Sequence, residues 1–251
     1  MVGAALIVAI GVDSMKRYSN SRTTTGLSGL ALLAVTLRLL IEPNQLLLIV
    51  INIFVGYQQA FFGADFTAAF VSCAIGTGTV GFVMMTYGLA DAAGCVLTGY
   101  VAKMTGRLPL ICFAAALHVA LFVTLLAWRP QAHAGYVLYT VAVLWGLADS
   151  VWLVQINSYY GILFPGRQEA AFANFRLWES VGYIIAYVVS PYLRLSEKIY
   201  LMAAMMVFGI ICYFTVEYKE RRRKNEFQLD KPVDKNCVAK GCDNFAFQKV
   251  E

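Results

Sequence analysis

Five ionisable side chains lie inside long apolar stretches of the chain, where an unpaired charge is costly. They are Asp91, His118, Asp149, Arg176 and Glu179. A charge in the middle of a membrane costs roughly 2.5–3.5 kcal/mol on insertion scales. Each of these side chains is therefore expected to face the interior of a helical bundle, a hydrated cavity or a partner group.

Asp91 stands among small residues, in the sequence GLADAAG of residues 88–94. Small neighbours allow a second helix to approach closely. Two interpretations stay open for this carboxyl group. It is either an ion or proton site, or a structural group that is hydrogen-bonded to a Ser, Thr or Tyr of a neighbouring helix.

Asp149 and Gln155 belong to a second polar segment. They are six residues apart, so they do not share one tight helix face. One interpretation is a polar cavity lining, with Asp91, Asp149 and Gln155 as candidate cavity residues or proton- or ion-linked residues. The alternative, which we favour slightly, is hydrogen bonding between helices that fixes their packing.

Arg176 and Glu179 are three residues apart and are neighbours on one side of a helix. Pairing lowers the cost of burying both charges, so we predict a structural ion pair in preference to a substrate site. His118 is isolated on an apolar span, which favours a hydrogen-bonded packing residue over a ligand.

The composition of the 251 residues is that of a membrane protein. Hydrophobic residues make up 59% and charged residues 14%, against about 25% charged residues in soluble domains. The net charge of +5 comes from basic residues beside apolar spans, so nucleic-acid binding is not expected.

No sequence pattern of an enzyme is present. The glycine-rich run of residues 76–81 has no P-loop lysine, and Cys237 and Cys242 have no nearby histidine to complete a zinc site. We therefore expect no catalytic residues, no metal and no cofactor.

Hydropathy predicts an all-α membrane protein. The predicted spans are 44–64, 79–102, 109–128, 136–163, 170–191 and 198–217. We interpret the chain as a truncated end of a preceding transmembrane helix (1–12), a cytoplasmic loop with an amphipathic helix (13–43), a six-helix transmembrane bundle (44–217) and a basic cytoplasmic tail expected to be disordered (218–251).

The basic residues predict the orientation of the spans. With residue 13 onward in the cytoplasm, 16 of the 20 Lys and Arg residues lie inside, 3 lie outside and Arg176 lies within a span. We therefore expect a multi-pass protein with a cytoplasmic C-terminus, in the plasma membrane in preference to an internal membrane.

A glycine-basic loop follows the second predicted span, in the sequence GYVAKMTGR of residues 99–107. With Gly99, Lys103, Gly106 and Arg107, it resembles the cytoplasmic loop that recurs in major facilitator transporters. That family usually has an acidic residue where Lys103 stands.

Longer stretches resemble the C-terminal half of the unc-ninety-three family, and its A-type homologues in particular. They are GYQQAF (56–61), TGR (105–107), LWGLADSVW (144–152) and EAAFANFRLWE (169–179). The resemblance implies a twelve-helix, major-facilitator-like fold, of which this chain would hold helices seven to twelve and lack the N-terminal six-helix half.

Two functions follow from these observations. The resemblance implies a non-enzymatic accessory protein in the lipid bilayer, which regulates or escorts a membrane-protein partner such as a potassium-channel subunit. The alternative is a secondary transporter of a small solute or ion, with a site at the interface of two repeats. On that alternative, this chain alone would not transport unless it dimerises or pairs with an N-terminal half. A third interpretation is a nonfunctional fragment from a truncated gene model or partial transcript.

Overall fold

The computed structural model describes residue 36, residues 38–128 and residues 135–229. Within these residues the chain is helical, without β-strands. The main helices are α1 (Pro43–Ala60), α2 (Val80–Thr105), α3 (Arg107–Ala127), α4 (Gly135–Leu163), α5 (Gln168–Val189) and α6 (Leu195–Leu229). The predicted helix end at 1–12, most of the 13–43 loop, Cys237, Cys242 and the distal tail lie outside the described residues.

Five helical segments are long and apolar enough to cross a membrane. They are Pro43–Ile75, Thr77–Thr105, Arg107–Ala127, Gly135–Leu163 and Leu195–Arg223. Helix α5 occupies the place of the fifth predicted span, but Asn174, Arg176 and Glu179 lower its mean hydropathy. The described residues thus provide five apolar helices and one more polar helix, an arrangement that fits an integral membrane protein.

The first helix is longer than the sequence predicted. The span was expected to end at residue 64, but α1 continues as a π-helix over Phe61–Ser72 and a last α-turn over Cys73–Ile75. Asp65, the first residue after the predicted span, is paired with Lys198 at 2.6 Å, so its charge does not require the helix to end there.

Three glycines lie at breaks between the helices. Gly76, Gly106 and Gly166 have φ of 89°, 81° and 77°. Residues with a Cβ rarely adopt this left-handed region, whereas glycine does so at little cost. These turns fix where the chain reverses and therefore which helices become neighbours.

Two groups of helices make up the bundle. Helix α4 packs against α2 and α3, while α1 packs against α5 and α6. Aromatic side chains join the two groups, since Phe61 stacks on Trp145 with ring centroids 5.9 Å apart and Phe54 meets Trp152 edge-on at 5.7 Å. The core of the bundle therefore lies between α1 and α4.

The last helix also corrects the sequence analysis. The tail was expected to begin as a disordered segment at residue 218, but α6 continues to Leu229. Ion pairs between Glu217 and Arg221 and between Glu220 and Arg223, both 2.9 Å, follow i,i+4 and i,i+3 spacings. Such pairs stabilise a helix outside an apolar environment.

Candidate functional site

The backbones of helices α2 and α4 pack closely against each other because glycine residues lie in the contact. A Cβ atom added to Gly146 would lie 2.6 Å from the carbonyl oxygen of Tyr87 and 3.0 Å from the backbone nitrogen of Asp91. Gly94 likewise lies against the side chain of Ser150. Small residues at such contacts let two membrane helices approach closely. The contact brings Tyr87 of α2 within reach of Asp149 of α4.

Helices α1 and α5 approach each other in the same way. Gly56 lies against the backbone carbonyl of Glu179. A Cβ added to Gly182 would meet the carbonyl oxygen of Ile53 and would lie 2.8 Å from the nitrogen of Tyr57. These contacts hold the polar turn that follows Tyr57 against α5.

Asp149 is the centre of a buried hydrogen-bond network, with a side chain 1% exposed. Gln58 donates from Nε2 to Oδ1 of Asp149. Gln59 Nε2 lies 3.1 Å from Oδ1 and 3.0 Å from Oδ2, and the Tyr87 hydroxyl donates to Oδ2 at 2.5 Å. Donors therefore reach both carboxylate oxygens.

Two further residues extend this network. The indole nitrogen of Trp145 donates to Oε1 of Gln58 at 2.5 Å, and the hydroxyl of Tyr183 donates to Oε1 of Gln59. Each glutamine side chain thus accepts one hydrogen bond and donates to the carboxylate. The network joins α1, α2, α4 and α5, and we call these six residues the Asp149 network: Gln58, Gln59, Tyr87, Trp145, Asp149 and Tyr183.

The other two candidate cavity residues are not hydrogen-bonded to Asp149. Asp91 is half-buried, and Cys95 Sγ lies 3.9 Å from its Oδ1. Gln155 is 1% exposed, and neither of its side-chain polar atoms has a partner among the described residues. Of the three, the structure brings only Asp149 into the network.

Arg176 and Glu179 lie side by side on α5. Arg176 Nη1 is 2.6 Å from Glu179 Oε2, with the carboxylate side chain 6% exposed and the arginine side chain 65% exposed. The arginine therefore reaches outward and covers a buried acid. His118 is fully buried and accepts a hydrogen bond at Nδ1 from Trp152 Nε1 at 3.2 Å.

The glycine-basic loop lies far from the network along α2. Gly99 belongs to α2, and Lys103 lies in its last turn, with Nζ 5.9 Å from the centre of the Tyr100 ring. Gly106 makes the turn into α3, and the guanidinium carbon of Arg107 lies 5.2 Å from the centre of the Tyr159 ring.

A second buried polar cluster joins the far end of the first helix to α5 and α6. Lys198 Nζ lies 2.6 Å from Asp65 Oδ1 and 3.0 Å from Ser190 Oγ, and Ser190 donates to the same carboxylate oxygen at 2.7 Å. The Lys198 and Asp65 side chains are 6% and 12% exposed. Lys198 is one of the three basic residues that the charge count predicted to lie outside.

Sequence reasoning singled out Asp149 but did not identify its hydrogen-bond partners. Gln58 and Gln59 carried a signal, because two adjacent amides in an apolar span are costly to bury without hydrogen bonds. Tyr87, Trp145 and Tyr183 carried none, because tyrosine and tryptophan are common in apolar spans. Among the described residues, no group of three or more His, Cys, Asp or Glu side chains is arranged to hold a metal ion.

A family model described as "Ion channel regulatory protein UNC-93" matches residues 2–214. The chain is 38% identical over 221 residues to Protein unc-93 homolog A of Danio rerio, covering 86% of the chain and 47% of the relative. It is 38% identical over 187 residues to the Homo sapiens homolog A, covering 74% and 41%.

A third relative carries a more specific name. The "Putative potassium channel regulatory protein unc-93" of Caenorhabditis elegans is 30% identical over 216 residues, covering 85% of the chain and 30% of the relative. The chain spans about half the length, or less, of the curated relatives that it matches.

Proposed function

Because this chain belongs to the UNC-93 family of ion channel regulatory proteins, we propose that it works as part of a non-enzymatic accessory protein that regulates or escorts a membrane channel. The observation that carries the proposal is the family match over residues 2–214. The name of the Caenorhabditis elegans relative makes a potassium channel the first partner to test.

The geometry supports a packing role for the buried carboxylate of Asp149. Donors on α1 and α2 reach both oxygens of Asp149, and the glutamines of the network are themselves held by Trp145 and Tyr183. A carboxylate that is surrounded in this way fixes four helices relative to one another.

The proposal concerns a longer protein, of which this chain is one part. The six helices α1–α6, together with a match to less than half of each relative, support a place as the C-terminal half of a twelve-helix, major-facilitator-like fold. On this proposal the partner channel binds the complete protein, with its C-terminus in the cytoplasm and its location in the plasma membrane.

The test is co-purification of the full-length protein from native membranes in mild detergent, with identification of the proteins that accompany it in stoichiometric amounts. The proposal predicts a channel subunit among them. The reciprocal purification through the channel serves as a control. A monodisperse protein without any partner would contradict the proposal and favour transport of a solute.

A further inference from the structure

The segment that contains α2 is the least buried of the five apolar segments. In its most apolar stretch 11% of the residues are buried, against 56% in the corresponding stretch of α4. The exposed surface of α2 has two flanks of different composition. The bulky flank consists of side chains that are 62–67% exposed, namely Phe82, Leu89, Val96 and Tyr100. The small flank consists of Gly81, Gly88, Ala92 and Gly99.

A carboxyl group lies at the edge of the small flank. Asp91 is half-buried, three residues after Gly88. Among the described side chains, the one that hydrogen-bonds it is Cys95, whose Sγ lies 3.9 Å from Oδ1, and a thiol is a weak donor. A carboxyl group inside a membrane is costly unless it meets a partner or a hydrated surface. The small flank is therefore unsuited to lipid, whereas the bulky flank suits acyl chains.

The exposed surface of α5 is divided in the same way. Its polar flank contains side chains at intervals of three or four residues, which share one side of a helix: Arg176, Ser180, Tyr183 and Tyr187. Its apolar flank contains Leu177, Ile184 and Val188, which are 48–60% exposed.

Arg176 makes the polar flank of α5 a poor lipid contact. It lies more than two turns from the first residue of the helix, Gln168, and its side chain is 65% exposed. Glu179 accepts a hydrogen bond from Nη1, but a guanidinium group has further N–H donors. A lipid acyl chain offers them no acceptor.

The small flank of α2 and the polar flank of α5 border the same buried network. Tyr87, one turn before Asp91, donates to Asp149 at 2.5 Å. Tyr183 donates to Gln59, which in turn binds Asp149. The half-buried Gln59 thus connects the two flanks through the network. We call this surface the polar face, and it comprises Gln59, Gly88, Asp91, Ala92, Arg176 and Tyr187.

The relatives supply one occupant for the polar face. The chain covers 47% of the Danio rerio relative and 41% of the Homo sapiens relative, so more than half of each relative lies outside the match. Transmembrane helices pack closely where small residues lie in the contact, and polar side chains hydrogen-bond across such contacts. A helix can therefore offer Asp91 and Arg176 the partners that acyl chains lack.

We propose that the remaining half of the longer protein packs on the polar face. One transmembrane helix lies against the small flank of α2 and carries a hydroxyl or amide donor opposite Asp91. Another lies against the polar flank of α5 and carries an acceptor opposite Arg176. This inference rests on the part of the proposed function that makes the chain half of a longer protein, and it does not depend on the channel.

Spin labels test which surface the polar face meets. The full-length protein, with its native cysteines replaced by alanine, is labelled at Ala92→Cys or at Ala93→Cys and reconstituted in phosphatidylcholine vesicles. The two alanines are adjacent and both exposed among the described residues, but Ala93 lies on the side of Leu89 and Val96. We expect the label at 93 to be accessible to oxygen, which dissolves in lipid. The label at 92 should be immobile and shielded from both oxygen and a water-soluble nickel chelate.

Tyr187→Cys and Val188→Cys form the same kind of pair on α5. Both residues are exposed, 56% and 59%, but Tyr187 belongs to the polar flank and Val188 to the apolar flank. We expect the label at 187 to be shielded and the label at 188 to be accessible to oxygen. Unchanged melting of the cysteine-free protein establishes that the replacements preserve the fold.

A second measurement uses the protein with its native cysteines. Leucine has room at both alanine positions in the described bundle, so Ala92→Leu disturbs the protein only if another segment lies against the small flank. We expect Ala92→Leu to lower the melting temperature of the full-length protein by about 3 °C, as for an overpacked contact. Ala93→Leu, the matched control, should shift it by less than about 1 °C.

Four results would overturn the proposal. Equal oxygen accessibility at 92 and 93 would place lipid on the small flank, and access of the nickel chelate to 92 would place a water-filled cavity there. Line broadening between labels at 92 that disappears on dilution with unlabelled protein would assign the face to a second copy. Equal melting of Ala92→Leu and Ala93→Leu would show that nothing packs on the small flank. No channel is present in these measurements, so any of these results would leave the co-purification result as it stands.

Discussion

Asp149 and Asp65 are both acidic side chains in the helical bundle, but they are compensated in different ways. Asp149 receives hydrogen bonds from neutral amide and hydroxyl groups on α1 and α2. Asp65 faces the full charge of Lys198, with Ser190 between α5 and α6 as a third member. Three neutral side chains share the compensation of Asp149, whereas at Asp65 one partner, Lys198, carries the full opposite charge.

The difference teaches how each region responds to change. A buried ion pair that loses one member leaves an uncompensated charge, which is strongly destabilising, while removal of both members is often tolerated. A network of neutral donors loses one hydrogen bond at a time, and such bonds between membrane helices contribute about 0.6 kcal/mol on average. A single substitution at the Asp65–Lys198 pair should therefore lower the free energy of unfolding more than a single substitution in the Asp149 network.

The largest effect is expected for Lys198→Met, because Asp65 is then left buried without its cation. We expect the free energy of unfolding to fall by about 3–5 kcal/mol. Thermal or denaturant unfolding in one detergent measures it. The double variant with Asp65→Asn should regain most of the loss, and Lys103→Met, at an exposed position of α2, is the control. A double variant as unstable as the single one would refute the ion-pair account.

The next effect is expected for Gly146→Ala, which separates the two helices that hold Tyr87 and Asp149. The new Cβ would lie 2.6 Å from the Tyr87 carbonyl oxygen, and we expect a loss of about 2–3 kcal/mol. Gly161→Ala is the matched control on the same helix, since its Cβ position has no neighbour within 4 Å apart from the adjacent backbone of its own helix. Equal stability of the two variants would show that α2 and α4 do not need this close contact.

A smaller loss is expected for Asp149→Asn. The substitution replaces one acceptor oxygen by an NH2 group that must face a donor of Gln59 or Tyr87, and we expect about 1.5 kcal/mol. Asp91→Asn is the control, because Asp91 is not hydrogen-bonded to the network, and its effect should stay within about 0.5 kcal/mol. A double-mutant cycle of Asp149→Asn with Tyr87→Phe measures the coupling energy between the two side chains. If the two stability losses simply added, the residues would not share a network.

The smallest effect is expected for Tyr183→Phe, which removes one hydroxyl donor from Gln59. We expect a loss of about 0.6 kcal/mol in the same unfolding assay. Tyr187→Phe, on the exposed side of the same helix, should change nothing measurable. If the two variants behaved alike, Tyr183 would not belong to the network.

The same contrast shows what the sequence could predict. Long apolar segments and the glycines at residues 76, 106 and 166 set the helix positions, since hydropathy and glycine turns are local properties. The first helix was predicted to end at residue 64, and Asp65 follows directly. An acidic residue is costly inside an apolar span unless it has a partner, and the partner of Asp65 is Lys198. Lys198 is 133 residues away in the chain, and no local pattern connects the two.

The Asp149 network shows the same limit at the candidate site. The cost of burying Asp149 predicted that it faces the bundle interior, a hydrated cavity or a partner group, and a hydrogen-bonded packing role was one of the two interpretations kept open. The identity of the donors depends on which helices touch, and that depends on Gly146 and Gly182 meeting backbone atoms of other helices. Such pairings are properties of the tertiary structure.

The central claim, that the protein regulates a channel and does not carry a solute itself, is tested most directly by current recordings. The full-length protein is expressed with the channel that co-purifies with it, and each is also expressed alone. The account predicts that the channel current changes in amplitude or gating when the protein is present, and that the protein alone gives no current and no solute uptake. An unchanged channel current, together with a saturable flux through the protein alone that Asp149→Asn abolishes, would contradict it.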